Sequence, residues 1–361
     1  MDISIINDGA ALQLPQGVTL PALWLLDNGE GQETKDPRNG QRLIDVTHAP
    51  SDLKITDATS EQDGLRLALG TRSSFLSWST LAALGAVPQE TIKTFYAEDL
   101  AKLPVIAFDA FLNNPKAELA WLQGFDAYGF GRFTDGPSES GALFQLIEQF
   151  GYVRETNYGR QFEVRSEPNP TNLAYTGMGL PPHTDNPYRD PVPTLQLLYC
   201  LENSATGGES QVVDGFAAAQ ALRAEDPAAF DLLTQVDVPF AFTGQSGVSL
   251  SAKRRLIEVD AAGGLQGVCY NTRSMGQVLP QAGLDLGLFY AAYHRFGQFL
   301  NDKAFEVEFA LQPGEAFLVN NRRVLHARAG FKADGHRWLQ GAYADLDSLS
   351  SRRRVLEGAL A

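Results

Sequence analysis

His183 and Asp185 stand two residues apart in the segment Pro182-His183-Thr184-Asp185-Asn186-Pro187. On an extended strand such residues face the same side, so an imidazole and a carboxylate there can close on one ion. Alone, a His-x-Asp pair is more often a surface or turn pair than a ligand pair. Two histidines and one carboxylate on one face of an ion leave coordination positions open, a donor set suited to Fe(II) and oxygen chemistry. A third ligand is therefore required. The chain has five histidines. His48 falls in the N-terminal part, and His294 lies on the packing side of a helix. His326 ends Phe317-Leu-Val-Asn320-Asn321-Arg-Arg-Val-Leu-His326. That pattern predicts a strand and then a turn, and makes His326 the natural third ligand.

Arg337 follows eleven residues later, on the predicted strand His336-Arg337-Trp-Leu339-Gln-Gly341-Ala-Tyr343. An oxo-diacid bound to a metal needs a fixed cation at its far end, and arginine holds a carboxylate bidentately. The turn Thr206-Gly207-Gly208-Glu209-Ser210 places the Ser210 hydroxyl where it can donate to the same carboxylate, although alone this segment reads as an ordinary hairpin turn. Arg337 and Tyr343 are six apart, so an unbroken strand turns both to one cavity.

The rest of the chain must position these groups. Its 361 residues, 44% hydrophobic, suffice for a large domain with a small one. A net charge of -14 repels nucleic acid and anionic membrane surfaces. Cys200 and Cys269 are the only cysteines, too few for a disulfide framework or a cysteine metal site. No signal peptide and no long apolar span is visible, which predicts a cytoplasmic protein.

Short alternating runs at Ile3–Ile6, Arg42–Thr47 and Leu65–Leu69, separated by turn residues, predict a small β domain over 1–93. A connection at 94–104 opens the second domain, 94–361. Helices are expected after Asn114-Pro115, over Ser138–Phe150, near 216–223 and 227–235, and over Leu284–Leu300. Strands are expected at Gly129–Thr134, Thr194–Leu201, Glu209–Asp214, 253–260, 266–271, 304–311, 316–320 and 336–344. From Gly159 to Pro191 the chain reads as a long irregular loop, of the kind usually tied to function. Many strands flanked by a few helices predict a mainly β sandwich or barrel.

Taken in order, His183-x-Asp185, the Gly-Gly-Glu-Ser turn, His326 and Arg337 resemble the taurine-dioxygenase-type Fe(II)/2-oxoglutarate oxygenases. The γ-butyrobetaine hydroxylase branch is closer still. Asn172-Leu-Ala-Tyr175-Thr, His183-Thr-Asp185-Asn-Pro, Gly207 to Phe216 and Gly341-Ala-Tyr343-Ala-Asp345 carry that resemblance, and Trp24–Asn28 with Gln41-Arg42 extends it to the small domain. It implies a double-stranded β-helix (jelly-roll) catalytic domain, a homodimer, iron held by His183, Asp185 and His326, and 2-oxoglutarate held by Arg337 and Ser210, with O2 as second cosubstrate. Some relatives carry a Cys/His zinc site in the small domain. Gly29-Glu-Gly-Gln-Glu-Thr-Lys35 has no cysteine, so no zinc is expected.

The resemblance also implies a small zwitterionic quaternary-ammonium substrate. A trimethylammonium group donates no hydrogen bond and is held on aromatic faces. Tyr158, Phe162, Tyr175 and Tyr343 are the implied cage. Phe162 stands where a relative has Trp, which implies a looser cage. Asn172, Asn186 and Asn271 are implied at the anionic end. Asn271-Thr272-Arg273 replaces an Asn-Asn of relatives, which tilts the reading toward a phosphonate. The branch's two activities, hydroxylation of 2-(trimethylammonio)ethylphosphonate and of γ-butyrobetaine, both stay open, as does a non-catalytic sensor or scaffold. A serine hydrolase lacks support, since no Gly-x-Ser-x-Gly elbow is present.

Overall fold

A computed structural model describes residues 3–15, 17–84, 92–165, 178–332 and 334–360. The chain divides into two compact units, Met1–Glu90 and Thr91–Ala361.

The first unit holds two three-stranded antiparallel sheets, one of Ser4–Ile6, Ala11–Gln13 and Thr19–Pro21, the other of Ile55–Ser60, Gly64–Leu69 and Arg72–Ser77. Leucines at 12, 25, 67, 76 and 81 are fully buried between them and the short helices Ala22–Asp27 and Trp78–Ala83. The expected strand Arg42–Thr47 does not form. Arg42 makes one isolated bridge with Lys35, and Val46–His48 is a short 3-10 helix. The Asp45 carboxylate accepts from the Thr47 amide at 2.9 Å, a local bond that competes with a strand ladder.

The second unit carries two sheets. One has four strands in the order Leu180–His183, Val324–Arg328, Ser210–Asp214, Glu306–Phe309. The other has six, in the order Val105–Ala107, Phe130–Thr134, Ala316–Asn320, Leu195–Asn203, Arg337–Ala344, Phe162–Arg165. Val212, Val307 and Val324 of the first sheet meet Leu198, Phe317 and Leu339 of the second in one apolar cluster. Such facing sheets are consistent with the expected jelly roll. The outer face of the six-stranded sheet is covered by helices Phe108–Asn113, Pro115–Tyr128, Leu143–Phe150 and Leu346–Leu360. A second cluster joins helices Gly215–Glu225, Pro227–Gln235 and Leu286–Leu300.

Several expectations need correction. Val324–Arg328 is a strand, all five residues buried, where the sequence suggested a turn. A strand covered on both faces lacks the alternation by which strands are read. Phe162–Arg165 and Leu180–His183 are strands inside the stretch read as irregular. The helix expected from Ser138 begins only at Leu143, and the final helix Leu346–Leu360 was missed. So was the hairpin Val238–Gln245 with Val248–Arg254.

One buried ion pair ties the strands on which the site is built. Asp214 stands opposite Val324 in the ladder between Ser210–Asp214 and Val324–Arg328. Its oxygens accept from Arg323 Nε at 3.0 Å and Nη2 at 2.8 Å, and from the amides of Phe95 and Phe216. Arg323 also donates to the carbonyls of Ala127 and Lys93. Both side chains are almost wholly buried, so removing one partner strands the other charge. Asp214→Ala should cost about 3–5 kcal/mol of unfolding free energy in urea titrations. A loss below about 1 kcal/mol would show that the pair does not hold these strands.

Candidate active site

His183 ends its strand, and Asp185 follows just beyond it. The two therefore do not share one continuous strand, and their convergence has another cause. His183 stands directly opposite His326 in the antiparallel ladder, and their rings lie 4.3 Å apart. Asp185 is turned toward them by its backbone. Asn321 Oδ1 accepts from the Asp185 amide at 2.7 Å, and Asn321 Nδ2 donates to the Asp185 carbonyl at 2.9 Å. Asn186 then takes a left-handed conformation, with φ +54°. The result is one group of potential ligand atoms from His183, Asp185 and His326, all within 4.8 Å of one another.

The donor chemistry fits a divalent transition metal. His183 Nδ1 lies 2.9 Å from the Pro181 carbonyl. A carbonyl only accepts, so Nδ1 carries the proton and the Nε2 lone pair is left for an ion. Nε2 of His183 is 3.4 Å from Asp185 Oδ1, and Nε2 of His326 is 3.8 Å from Oδ2. Burial pushes the His326 imidazole down to about 3, helped by His183 and opposed by Asp185. Burial alone would raise the Asp185 carboxyl, but His326, His183 and Tyr343 outweigh it and hold it below its ordinary value. Near neutral pH the site thus presents an unprotonated His326 and a carboxylate.

A cavity of about 490 Å³ opens on this group. Among the described residues lining it, Asp185 is the only acid, set against Arg273, Arg328 and Arg337. Arg337 is buried, its Nε donates to the Gly208 carbonyl at 3.2 Å, and its Nη1 has no partner. An unpartnered buried guanidinium nitrogen is what an incoming carboxylate would satisfy. Gly208 makes the approach feasible. Its φ is +76°, and a Cβ there would stand 3.1 Å from Arg337 Cδ and Nε. Ser210 lines the same cavity. Arg328, which sequence reasoning missed, sits two residues after His326 and so shares its face of the strand. Burial lowers it to about 10, with Arg337 and Arg273 adding like-charge repulsion.

Aromatic rings form a wall of the same cavity. Phe162 and Tyr343 lie 5.1 Å apart, Tyr158 and Phe162 6.5 Å. Phe242 and Tyr188, both unforeseen, extend the wall, at 5.9 Å from Tyr158 and 5.1 Å from Phe242 respectively. Phe162 faces Gly341 across the ladder, and a Cβ at Gly341 would fall 2.2 Å from the Phe162 ring. Glycine there lets the ring lie down on the sheet.

Asn186 lines the cavity with a buried Nδ2 that has no partner, while its Oδ1 accepts from the Tyr188 hydroxyl. Asn271 also lines the cavity, but its amide is largely used in shaping the turn. Its Oδ1 accepts from the Arg273 and Ser274 amides, and its Nδ2 donates to the Thr184 carbonyl. The turn presents Ser274, whose buried hydroxyl has no partner, and Arg273 to the cavity. Asn172 and Tyr175 lie outside the described residues.

Residues 92–343 match the model of the family described as "Taurine catabolism dioxygenase TauD, TfdA family". The chain is 34% identical over 349 residues to a γ-butyrobetaine dioxygenase of Pseudomonas sp. (strain AK-1), covering 93% of this chain and 90% of that one. It is 32% identical over 259 residues to the human γ-butyrobetaine dioxygenase, covering 71% and 67%. A crystal structure of an asparagine oxygenase in complex with Fe(II), 3-hydroxyasparagine and succinate superposes with a TM-score of 0.51. It shares 17% identity and covers 66% of this chain and 83% of that one. Among the described residues no helix is long and apolar enough to cross a membrane.

The buried His326 sets a pH dependence in the metal-free protein. Unfolded, it takes up a proton from its ordinary 6.5 downward; folded, it stays neutral to about 3. The unfolded state thus binds more protons in this window, and stability falls as pH drops through it. The expected contribution is about 1.4 kcal/mol per pH unit. Urea unfolding of the chelator-treated protein from about pH 7 to about pH 4.5 should show this slope, and His326→Gln should flatten it. Equal slopes would remove His326 as its source.

Proposed function

The chain belongs to the taurine catabolism dioxygenase TauD, TfdA family, Fe(II)- and 2-oxoglutarate-dependent dioxygenases, and we propose that it hydroxylates a small trimethylammonium zwitterion, best matched by 2-(trimethylammonio)ethylphosphonate. One observation carries the reading: a wall of aromatic rings and a His-Asp-His group open on the same cavity. In this reading His183, Asp185 and His326 hold Fe(II). Arg337, with Ser210, holds the distal carboxylate of 2-oxoglutarate. Tyr158, Phe162, Tyr175 and Tyr343 hold the cation, while Asn172, Asn186 and Asn271 serve the anionic end. When bound, iron with 2-oxoglutarate and O2 supplies the oxidation, in which the cosubstrate gives succinate and CO2 and a substrate C–H becomes C–OH.

What the chain itself contributes is placement. Aromatic faces hold the cationic end through the ring quadrupole. Hydrogen-bond donors hold the anionic end. Fixing both ends of a short dipolar molecule fixes the carbon between them relative to the metal ligands. Asn186 Nδ2 and the Ser274 hydroxyl, both buried and unpartnered at the cavity, supply such donors.

Arg273 supports the phosphonate. It lines the cavity together with Ser274, whose buried hydroxyl has no partner, and a phosphonate zwitterion carries more negative charge than its carboxylate counterpart and so gains more from a neighbouring cation. The second reading, γ-butyrobetaine hydroxylation to L-carnitine, is favoured by the relatives of that name at 34% and 32% identity. The proposal also includes a cytoplasmic homodimer, by analogy with the branch, and a first unit held together without zinc.

Three experiments test the reading. The protein is reconstituted anaerobically with Fe(II) and 2-oxoglutarate, then given O2 with either betaine, and succinate and product mass are read. The phosphonate should give the higher kcat/KM. Arg273→Ala should lower kcat/KM for the phosphonate about 10-fold and that for γ-butyrobetaine distinctly less, in line with one charge-assisted contact. Equal losses would leave Arg273 without a role in choosing the anion. Arg337→Ala should raise KM for 2-oxoglutarate about 10- to 100-fold, with a much smaller change in substrate KM. The reverse pattern would move the cosubstrate clamp elsewhere.

A further inference from the structure

Two side chains reach Asp185 from a single rung of the six-stranded sheet. Gln196 and Tyr343 stand opposite each other on the antiparallel strands Leu195–Asn203 and Arg337–Ala344. Directly opposed residues project from the same face. Both also end on the same atom. Gln196 Nε2 donates to Asp185 Oδ2, and the Tyr343 hydroxyl donates to it at 2.8 Å. Oδ1 instead faces His183 Nε2 at 3.4 Å, the nitrogen whose lone pair is left for an ion.

Gln196 is otherwise hard to account for. It is 2% exposed, and from Leu195 to Leu201 it is the one strongly polar residue of its strand. Its Oε1 is buried without a partner. A half-satisfied buried amide costs stability, so its place in an apolar strand calls for a function. The hydrogen bond to a carboxylate also fixes the amide's orientation, since only the NH2 side can face Oδ2.

We propose that Gln196 and Tyr343 are positioning residues for Asp185: by occupying Oδ2 they leave Oδ1 alone for the metal, so the carboxylate takes one coordination position and not two. This rests on the reading of His183, Asp185 and His326 as iron ligands. Three protein ligands and a chelating oxo-acid leave a single position of an octahedron free. A carboxylate binding through both oxygens would close it. Tyr343 has a second duty, because its ring lies 5.1 Å from Phe162 in the aromatic wall. A cation seated on that ring touches the same side chain that restrains the ligand, so cage occupancy is felt at Asp185.

Cobalt(II), stable in air and coloured according to its coordination, is the probe. The metal-free full-length protein, Tyr343→Phe, Gln196→Leu and His183→Ala are titrated with Co(II) in the presence of 2-oxoglutarate, and γ-butyrobetaine is then added. Tyr343→Phe and Gln196→Leu should each weaken Co(II) binding about 10-fold, the usual effect of losing an outer partner of a ligand. Both should alter the intensity of the visible band and blunt its response to the betaine. Wild-type affinity and spectrum in both variants, with His183→Ala impaired, would overturn the proposal. Equal binding by wild type and His183→Ala would overturn the ligand assignment beneath it, and the proposal with it. Should Gln196→Leu fail to fold, Tyr343→Phe, which loses one oxygen atom, decides alone.

Discussion

The rung that sets His183 against His326 is the constraint from which the site follows. Both histidines belong to neighbouring antiparallel strands, and His326 also stands opposite Val212 on its other side. A slip of one residue would turn either imidazole to the other face of the sheet, so the ladder fixes which rings meet. Asp185 then needs only a short excursion past the strand end, and Asn321 holds that excursion from both sides of the peptide. The buried Asp214–Arg323 pair sits at the end of the neighbouring ladder, two rungs from the one that pairs Val212 with His326. Iron chemistry here therefore depends on sheet register before it depends on any loop.

The other components of the site use the same economy of strands. Arg337, Leu339 and Tyr343 alternate along one strand, and all line the cavity. Gln196 meets Tyr343 across the ladder, and Phe162 meets Gly341. The glycines at 208 and 341 act by what they lack. One admits the Arg337 side chain, the other the Phe162 ring. The unpartnered guanidinium, the partners of Asp185 and the aromatic wall are thus set out on adjacent strands of one sheet, which keeps chemically distinct groups in fixed spacing.

Much of this was legible in the sequence because ligand chemistry demands rare residue types at set intervals. His183-x-Asp185, His326 and Arg337 could be read from spacing, and the even interval from Arg337 to Tyr343 placed both on one face. Helices with an Asn or Asp cap followed by proline, at Asn114 and Asp226, were equally readable. What escaped was whatever has no periodic signal. The strand around His326 is buried on both faces and does not alternate. Arg328 would have followed from that strand, two residues beyond its histidine. Gln196 leaves only a faint trace, a lone amide in an apolar run. Tyr188, Phe242 and Ser274 reach the cavity through tertiary folding of distant segments, and no local pattern marks them. Asn271 was placed at the cavity by resemblance, yet most of its hydrogen bonds shape the turn that carries Arg273 and Ser274.

Arg273 and Arg337, at the cavity, have a consequence at long range. The chain as a whole carries -14, so an anion is repelled at a distance and attracted only within the mouth. At physiological ionic strength the outer repulsion fades beyond about 8 Å, while the interior field is hardly screened. Dianionic cosubstrate therefore meets an entrance barrier that dissolved salt lowers, and a betaine with one ammonium and one carboxylate, having no net charge, does not. Ionic strength becomes a selector between two molecules that share one doorway, acting on their arrival rates and leaving the contacts that hold them largely alone.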